Sequence, residues 1–257
     1  STFEGCAADA TAIEFPVYIS PIAVVYNVEG VDNLNLDAET LAKIFSGEIT
    51  NWNDEAIAAL NEGVTLPDAT ITAVHRSDDS GTTKNFTDYL SQVAGDAWGE
   101  EASDTFPFES GEGAKGTSGV IDAVTNGTNT IGYADFSKAG DLTIANIKVG
   151  DEYVAPTAEG AAAVVADSPL VEGRSDGDLA ITLERTTTDS SHYPLVLVSY
   201  MIGCSEYADS AKADLVKAYF SYIVSEEGQK VAAEAAGSAP LSSDLTTKVT
   251  AVIDAIK

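Results

Sequence analysis

Apolar positions follow two different periodicities along this chain. Residues 13–26 are rich in β-branched and aromatic side chains, which predicts strands interrupted at Pro16 and Pro21. Residues 38–45 and 55–60 instead carry apolar side chains at helical spacing, and each stretch follows an Asp or Asn that suits a helix N-cap. The first part of the chain therefore predicts strand structure followed by two short helices.

The same alternation continues to the end of the chain. Residues 71–74 predict a short strand, and Phe86, Tyr89, Leu90 and Val93 recur at the spacing of an amphipathic helix. The remaining predicted elements are a helix at 120–124, a strand at 130–134, several short strands within 137–192 together with a helix at 159–166, a strand at 193–202 and helices at 208–236, with one break, and at 245–256. Strands that alternate with helices predict an α/β fold with at least one mixed or mostly parallel sheet.

The composition shows a large excess of acidic residues. The 257 residues include 41 Asp and Glu against 13 Lys and Arg, so the net charge is −28 at pH 7. Such a surface repels nucleic acids and anionic membranes, and we expect no nucleic-acid partner. It also repels small anions at long range. An anion site on this chain must therefore act through short hydrogen bonds and local dipoles.

The two cysteines, Cys6 and Cys204, are far apart in a chain that has only one Met. A single pair of this kind favours one disulfide in an exported protein, with two free buried thiols as the alternative. Zinc is disfavoured because the chain has only two His residues, and neither stands at ligand spacing to a cysteine. We expect no metal and no other cofactor.

The loop at residues 75–83, His-Arg-Ser-Asp-Asp-Ser-Gly-Thr-Thr, carries the clearest chemical signal. It joins the predicted strand at 71–74 to the helix that follows, and the start of a helix offers unpaired N–H groups and a partial positive charge to an anion. Arg76 adds a guanidinium fork, and Asp78 would either brace that fork or cap the helix. Taken alone, the loop is equally compatible with an ordinary strand–turn–helix junction.

Several segments together resemble one known family. These are the stretches at residues 27–31, 36–61 and 75–83, then Gly-Ala-Lys-Gly-Thr-Ser-Gly-Val at 113–120, Thr-Ile-Gly-Tyr at 130–133 and Tyr-Pro-Leu-Val-Leu-Val at 193–198. In this order they are similar to the substrate-binding proteins of high-affinity phosphate ABC transporters, the PstS family. The resemblance covers nearly the whole chain. The two-cysteine pattern is most similar to members from high-GC Gram-positive bacteria.

The resemblance implies a binding protein and not an enzyme. By match to the family motif, Arg76, Ser80, Gly81 and Thr82 are expected to contact inorganic phosphate, and Asp78 is expected to support Arg76. The implied partners are phosphate and the membrane subunits of an ABC permease. The implied location is extracytoplasmic, as a lipid-anchored or secreted protein. We expect the chain to act as a monomer.

The resemblance also implies an architecture. It predicts the type II periplasmic-binding-protein fold, with two α/β lobes, a ligand cleft and a strand hinge. Residues 27–194 would form lobe 2, which carries the loop, and residues 1–26 with 195–257 would form a discontinuous and partial lobe 1. The family begins with a further N-terminal segment whose Ser, Thr and acidic contacts have no match in residues 1–26, so none of those contacts is carried over.

Three other interpretations are weaker. Ser80 with His75 or His192 and an Asp would suit a hydrolase triad, but the Gly-x-Ser-x-Gly elbow is absent. The Gly-rich stretch at 111–118 lacks the residue order of a Walker motif and is interpreted as a turn and helix start. Trp52 and Trp98 are interpreted as packing residues and not as sugar platforms. A surface adhesin on the same scaffold would fit the same motifs.

Overall fold

The fold is known from a computed structural model that describes residues 5–257. Residues 13–26, for which the sequence predicts separate strands, belong to one long strand, β1 (Ala12–Asn27). The predicted interruptions at Pro16 and Pro21 are wrong. Extended backbone accommodates the φ angle of proline, and each proline removes only one hydrogen-bond donor from the strand.

Strands and helices are interspersed along the rest of the chain, as the sequence predicts, although β6 to β8 and α7 to α9 follow one another directly. The other strands are β2 (Asn35–Leu36), β3 (Thr72–Arg76), β4 (Glu112–Ala114), β5 (Thr130–Asp135), β6 (Thr143–Ile144), β7 (Asn146–Val149), β8 (Glu152–Val154) and β9 (Val196–Cys204). The helices are α1 (Ala38–Ser46), α2 (Glu55–Leu60), α3 (Gly81–Val93), α4 (Gly95–Trp98), α5 (Gly116–Asn126), α6 (Ala158–Asp167), α7 (Ser210–Val224), α8 (Glu226–Ala236) and α9 (Ser243–Asp254). The predicted break within 208–236 falls at Ser225, which ends α7 and caps α8.

The described residues divide into two units. Unit 1 comprises residues 5–19, Ala162–Glu184 and Val198–Lys257, and unit 2 comprises Ser20–Ala161 and Arg185–Leu197. The segment Ala162–Glu184 thus belongs to unit 1, whereas the predicted lobe boundary placed it with residues 27–194. The predicted start of lobe 1 at residues 1–4 lies outside the described residues.

The main sheet of unit 2 has the strand order β4-β3-β5-β1-β6, and β9 also pairs with β1. Strand β3 runs parallel to both of its neighbours, with Val74 opposite Glu112 on β4 and opposite Gly132 on β5. Strand β1 runs antiparallel to β5 and β6. The sheet is therefore mixed, as the alternation of elements predicts. A smaller sheet of order β2-β7-β8 completes the unit.

Both faces of the main sheet are covered, which explains why the sequence of β1 is apolar at consecutive positions. Ile22, Val24 and Tyr26 point into a large core that also contains residues of α1 and α3. Ala23 and Val25 point into a second core on the opposite face, built with residues of α5. The helices that follow β3 and β4 thus lie on opposite faces of the sheet.

Unit 1 is assembled from separate parts of the sequence. Cys6 and Cys204, which are 198 positions apart in sequence, form the disulfide that the sequence predicts. Phe15 on β1 packs edge-on against Phe220 of α7, at 5.2 Å between ring centroids. The buried Gln229 of α8 donates to the Val17 carbonyl on β1, at 3.1 Å. These contacts tie the helices near the end of the chain to the first half of β1.

Candidate anion-binding site

The loop at residues 75–83 lies where the chain changes direction across the main sheet. After β3 the chain reaches β4 on one side of β3, and it then returns through α5 to β5 on the other side. The helix after β3 and the helix after β4 cover opposite faces. In open α/β sheets, ligands bind at such a switch point, beyond the carboxyl ends of the strands. The fold therefore places the predicted loop at an expected ligand position.

Ser80 begins helix α3 by capping it. Its backbone is extended, and its hydroxyl oxygen accepts hydrogen bonds from the N–H groups of Thr82 and Thr83, at 3.1 and 3.3 Å. Ser80 and Thr82 are buried, with 5% and 8% of their surface exposed. Gly81 is the first residue of the helix and is exposed, and a Cβ placed there would meet no atom within 4 Å. Because Gly81 is the first residue of the helix, its N–H has no acceptor within the helix.

Arg76 and Asp78 form a two-pronged ion pair at the other end of the loop. Arg76 Nε donates to Asp78 Oδ1 at 2.8 Å, and Arg76 Nη2 donates to Asp78 Oδ2 at 2.7 Å. The Arg76 side chain is only 12% exposed. Asp78 therefore braces the guanidinium and does not cap α3, which decides between the two roles that the loop sequence left open.

The start of helix α5 holds Asp78 in turn. The backbone N–H of Gly116 donates to Asp78 Oδ1 at 3.0 Å. The hydrogen bonds from Arg76 and Gly116 hold the pKa of the Asp78 carboxyl well below its usual range, and the bond from Arg76 has the larger effect. The Gly-rich stretch contains the predicted helix start, but Glu112–Ala114 form strand β4, which was not predicted, because its pairing with β3 joins distant residues. The further role of the stretch in holding Asp78 was not predicted, because the contact joins residues that are far apart in sequence.

Both histidine rings of the chain pack against or lie within hydrogen-bond distance of nearby residues. The His75 ring stacks on Phe106 with 4.0 Å between centroids, and its Nδ1 lies 2.9 Å from the Arg76 carbonyl oxygen. The Nδ1 of His192 lies 2.9 Å from the Thr187 hydroxyl, and His192 is buried. These contacts are structural for each ring, and none of them pairs a histidine with Ser80.

The two tryptophans are buried packing residues, as predicted. Trp52 is fully buried and Trp98 is 2% exposed. The indole N–H of Trp52 donates to the Asn129 carbonyl at 3.1 Å. The ring of Trp98 packs edge-on against Phe108, with 4.9 Å between centroids. Neither ring presents a face for a sugar.

Comparisons with known proteins first define the class. A family model described as a PBP superfamily domain matches residues 1–227. Among solved structures, the high-affinity periplasmic phosphate-binding protein PfluDING, bound with phosphate, has a TM-score of 0.76 at 22% identity and covers 94% of this chain and 71% of its own. The chain therefore has the periplasmic-binding-protein fold, which confirms the fold expected from the resemblance.

Relatives of higher identity then define the family. Phosphate-binding protein PstS 3 of Mycobacterium tuberculosis is 38% identical over 249 residues, which are 95% of this chain and 67% of that protein. Phosphate-binding protein PstS of Pasteurella multocida is 33% identical over 249 residues, which are 93% of this chain and 70% of that protein. The chain belongs to the PstS family of phosphate-binding proteins.

Proposed function

We propose that this chain captures inorganic phosphate outside the cytoplasm and delivers it to a membrane ABC permease, without catalysing a reaction. The observation that carries the proposal is the loop at residues 75–83, which contains a braced guanidinium and a helix N-terminus at a switch point of the sheet. Membership of the PstS family supports phosphate as the anion. A solved relative from Clostridium perfringens, described as a putative phosphate ABC transporter substrate-binding protein with bound phosphate, supports the transport role.

Arg76 would bind phosphate with the donors that the ion pair leaves available. A guanidinium carries N–H groups on each of its nitrogens. Asp78 accepts from Nε and from Nη2, so Nη1 and the second N–H of Nη2 remain as a fork for two phosphate oxygens. Because Asp78 already fixes the guanidinium plane, little side-chain entropy is lost when the ligand arrives.

The start of α3 would supply the remaining contacts. A hydroxyl has two acceptor lone pairs and one donor. The Ser80 oxygen accepts from Thr82 and Thr83, so its O–H stays available to donate to a phosphate oxygen. The Gly81 N–H and the Thr82 hydroxyl complete the proposed set. All of these groups are donors, which suits a phosphate ion stripped of water.

An extracytoplasmic location fits the covalent structure. The Cys6–Cys204 disulfide is typical of oxidising compartments, and the solved relative PfluDING is described as periplasmic. Within residues 5–257, no helix is both long and apolar enough to cross a membrane. Lipid anchoring, action as a monomer and permease docking are further parts of the proposal that follow from the family resemblance.

Isothermal titration calorimetry with phosphate tests the site. Arg76→Ala should weaken binding by about 2–4 kcal/mol, or roughly 30- to 1,000-fold, because a charged hydrogen-bond pair in a dehydrated site is lost. Arg174→Ala is the matched control, because it deletes an arginine of unit 1 that is 46% exposed and paired with Asp178. Both variants change the net charge equally. Equal affinities of Arg76→Ala and Arg174→Ala would refute the site.

Two further measurements test the class of protein. The unchanged chain should give a saturable heat of binding with phosphate. It should also release no phosphate from an aryl phosphate ester over hours at micromolar protein. Turnover of the ester that disappears in a Ser80→Ala variant would favour the hydrolase interpretation and contradict our proposal.

A further inference from the structure

Tyr133 links the two ends of the proposed anion site. Its hydroxyl accepts a hydrogen bond from the Arg76 backbone N–H at 3.3 Å, and it lies 2.7 Å from the Thr83 hydroxyl. Arg76 ends strand β3, and Thr83 lies in the first turn of helix α3. One side chain on the neighbouring strand β5 therefore contacts the residues on both sides of the loop.

The position of this hydroxyl is rigid. Tyr133 is 1% exposed, and its ring stacks on Phe86 of α3 with 4.2 Å between centroids and 10° between planes. The ring of Phe45 packs against it from α1, at 5.7 Å. Burial raises the pKa of the Tyr133 hydroxyl, so the group stays protonated and able to donate. The hydroxyl is thus held at one point between β3 and α3.

Glycine at position 132 lets β5 lie close enough for this contact. A Cβ on Gly132 would come within 3.0 Å of Val124, 3.1 Å of Val120 and 3.2 Å of the Val74 carbonyl oxygen. Two of these atoms belong to α5 and one to β3. The Ile-Gly-Tyr part of the motif at 130–133 therefore combines close packing with a placed hydroxyl.

Two of the other buried tyrosines of unit 2 make no such contacts, whereas the hydroxyl of a third, Tyr193, donates to the Ile22 carbonyl at 2.8 Å. Among the residues that the structure describes, the hydroxyls of Tyr26 and Tyr89 are buried and have no hydrogen-bond partner. Tyr89 lies on α3, the same helix that Tyr133 contacts. A buried tyrosine in this core is therefore tolerated without a partner, and the two contacts of Tyr133 are not a general consequence of burial.

We infer that Tyr133 is a positioning residue of the phosphate site, which sets the distance between Arg76 and the start of α3. The inference rests on the proposed function. The loop between Arg76 and Thr83 has to present the guanidinium fork and the helix N–H groups to the same ion. The contacts of Arg76 and Thr83 with the Tyr133 hydroxyl hold these two sets of donors at a fixed relative position before the ligand arrives.

The test compares Tyr133→Phe with Tyr89→Phe by calorimetry with phosphate. Each variant removes one buried hydroxyl and leaves the aromatic ring in place. Tyr133→Phe should weaken phosphate binding about 3- to 10-fold, the equivalent of one neutral hydrogen bond. Tyr89→Phe should bind like the unchanged chain, because the Tyr89 hydroxyl has no partner among the described residues.

Variants of Thr83 separate positioning from a general loss of structure. Thr83→Val removes the other end of the bond, and it should weaken binding to a similar extent as Tyr133→Phe. Thr83→Ser keeps the hydroxyl and should bind more tightly than Thr83→Val. The double variant Tyr133→Phe with Thr83→Val should lose less affinity than the product of the two single losses.

The outcomes distinguish the inference from the proposed function. If the unchanged chain binds phosphate and Tyr133→Phe binds equally well, the positioning role is wrong and the phosphate site stands. A lower melting temperature of Tyr133→Phe without a change in affinity would also overturn the role, because it would show structural support alone. Absence of phosphate binding by the unchanged chain would overturn both.

Discussion

Arg185 offers the sharpest test of how unit 2 is held together. Its side chain is fully buried, and it lies in the segment that leads to β9. Nη1 donates to the carbonyl oxygens of Pro194 and Val196, each at 2.8 Å. Nε donates to Asp88 at 3.0 Å and Nη2 donates to Asn85 at 2.6 Å, both on helix α3. One guanidinium thus joins the helix that begins at the anion site to the returning chain.

The cost of Arg185→Ala follows from these partners. Two backbone carbonyls lose a charged donor in a buried place, at about 1–3 kcal/mol each. Asp88 is 31% exposed, so water can solvate its carboxylate after the substitution, and its loss is smaller. Water that enters the space left by the guanidinium recovers part of the total. We expect a loss of about 3–5 kcal/mol in the free energy of unfolding.

Tryptophan fluorescence during urea unfolding measures this loss of stability specifically for unit 2. The chain has two tryptophans, Trp52 and Trp98, and both lie in unit 2. At a slope of about 2 kcal/mol per molar urea, the midpoint should fall by roughly 1.5–2.5 M. Lys43→Ala is the control in the same unit, because it removes an exposed ion pair with Glu39. That variant should change stability by less than about 1 kcal/mol.

One result would refute the reasoning about Arg185. If Arg185→Ala and Lys43→Ala unfold at the same urea concentration and with equal slopes, the buried guanidinium contributes no more than an exposed lysine. The hydrogen bonds of Arg185 would then be offset in full by the desolvation of its charge, as happens for some buried ion pairs.

Three further predictions concern pH, the disulfide and salt. Because the folded state lowers the pKa of Asp78, its ionised form stabilises the protein above the unfolded-state pKa of about 4, and that contribution is lost as pH falls towards the folded-state pKa. The stability difference between the unchanged chain and Asp78→Asn should therefore be constant above about pH 5 and should shrink below about pH 4, as urea midpoints would show; a difference that grows in acid would contradict this. Reduction of Cys6–Cys204 should destabilise unit 1 by about 2–5 kcal/mol and lower its circular-dichroism transition, while the tryptophan transition of unit 2 stays in place. The rate of phosphate association, followed by stopped flow, should rise several-fold between about 10 and 150 mM salt, because screening shortens the range of repulsion from the charge of −28; a rate that falls with salt would refute the argument.

The sequence predicts the elements of this fold well where local rules decide them. Asp37 caps α1, with its carboxylate 2.8 Å from the Thr40 N–H, and Gly47 ends that helix in a left-handed conformation. Asp54 caps α2, and its side chain accepts from the Ala56 N–H. These signals are read from residues that are near neighbours in the chain. The failure at Pro16 and Pro21 has the opposite origin, because pairing with distant strands keeps β1 continuous.

The candidate site is predictable only in part for the same reason. The donors at 76–82 stand close together in sequence, so the loop and its chemistry could be recognised before the structure was known. The bond that holds Asp78 from the start of α5 comes from Gly116, which is 38 positions away. The role of Tyr133 depended on a contact with Thr83 across 50 positions. Sequence periodicity places both residues on elements, but it does not show which side chains those elements bring together.

The way the two units divide the chain has a consequence for biosynthesis. Most of unit 2 is one continuous stretch, Ser20–Ala161, so it can collapse while later residues are still being made. Unit 1 combines residues 5–19 with Ala162–Glu184 and with Val198–Lys257, the last part of the chain to be made. With the extracytoplasmic location that we propose, its disulfide cannot close until Cys204 has reached the oxidising side of the membrane. We therefore expect the half that carries the anion loop to mature first, and the covalent closure of the other half to be among the last events of export.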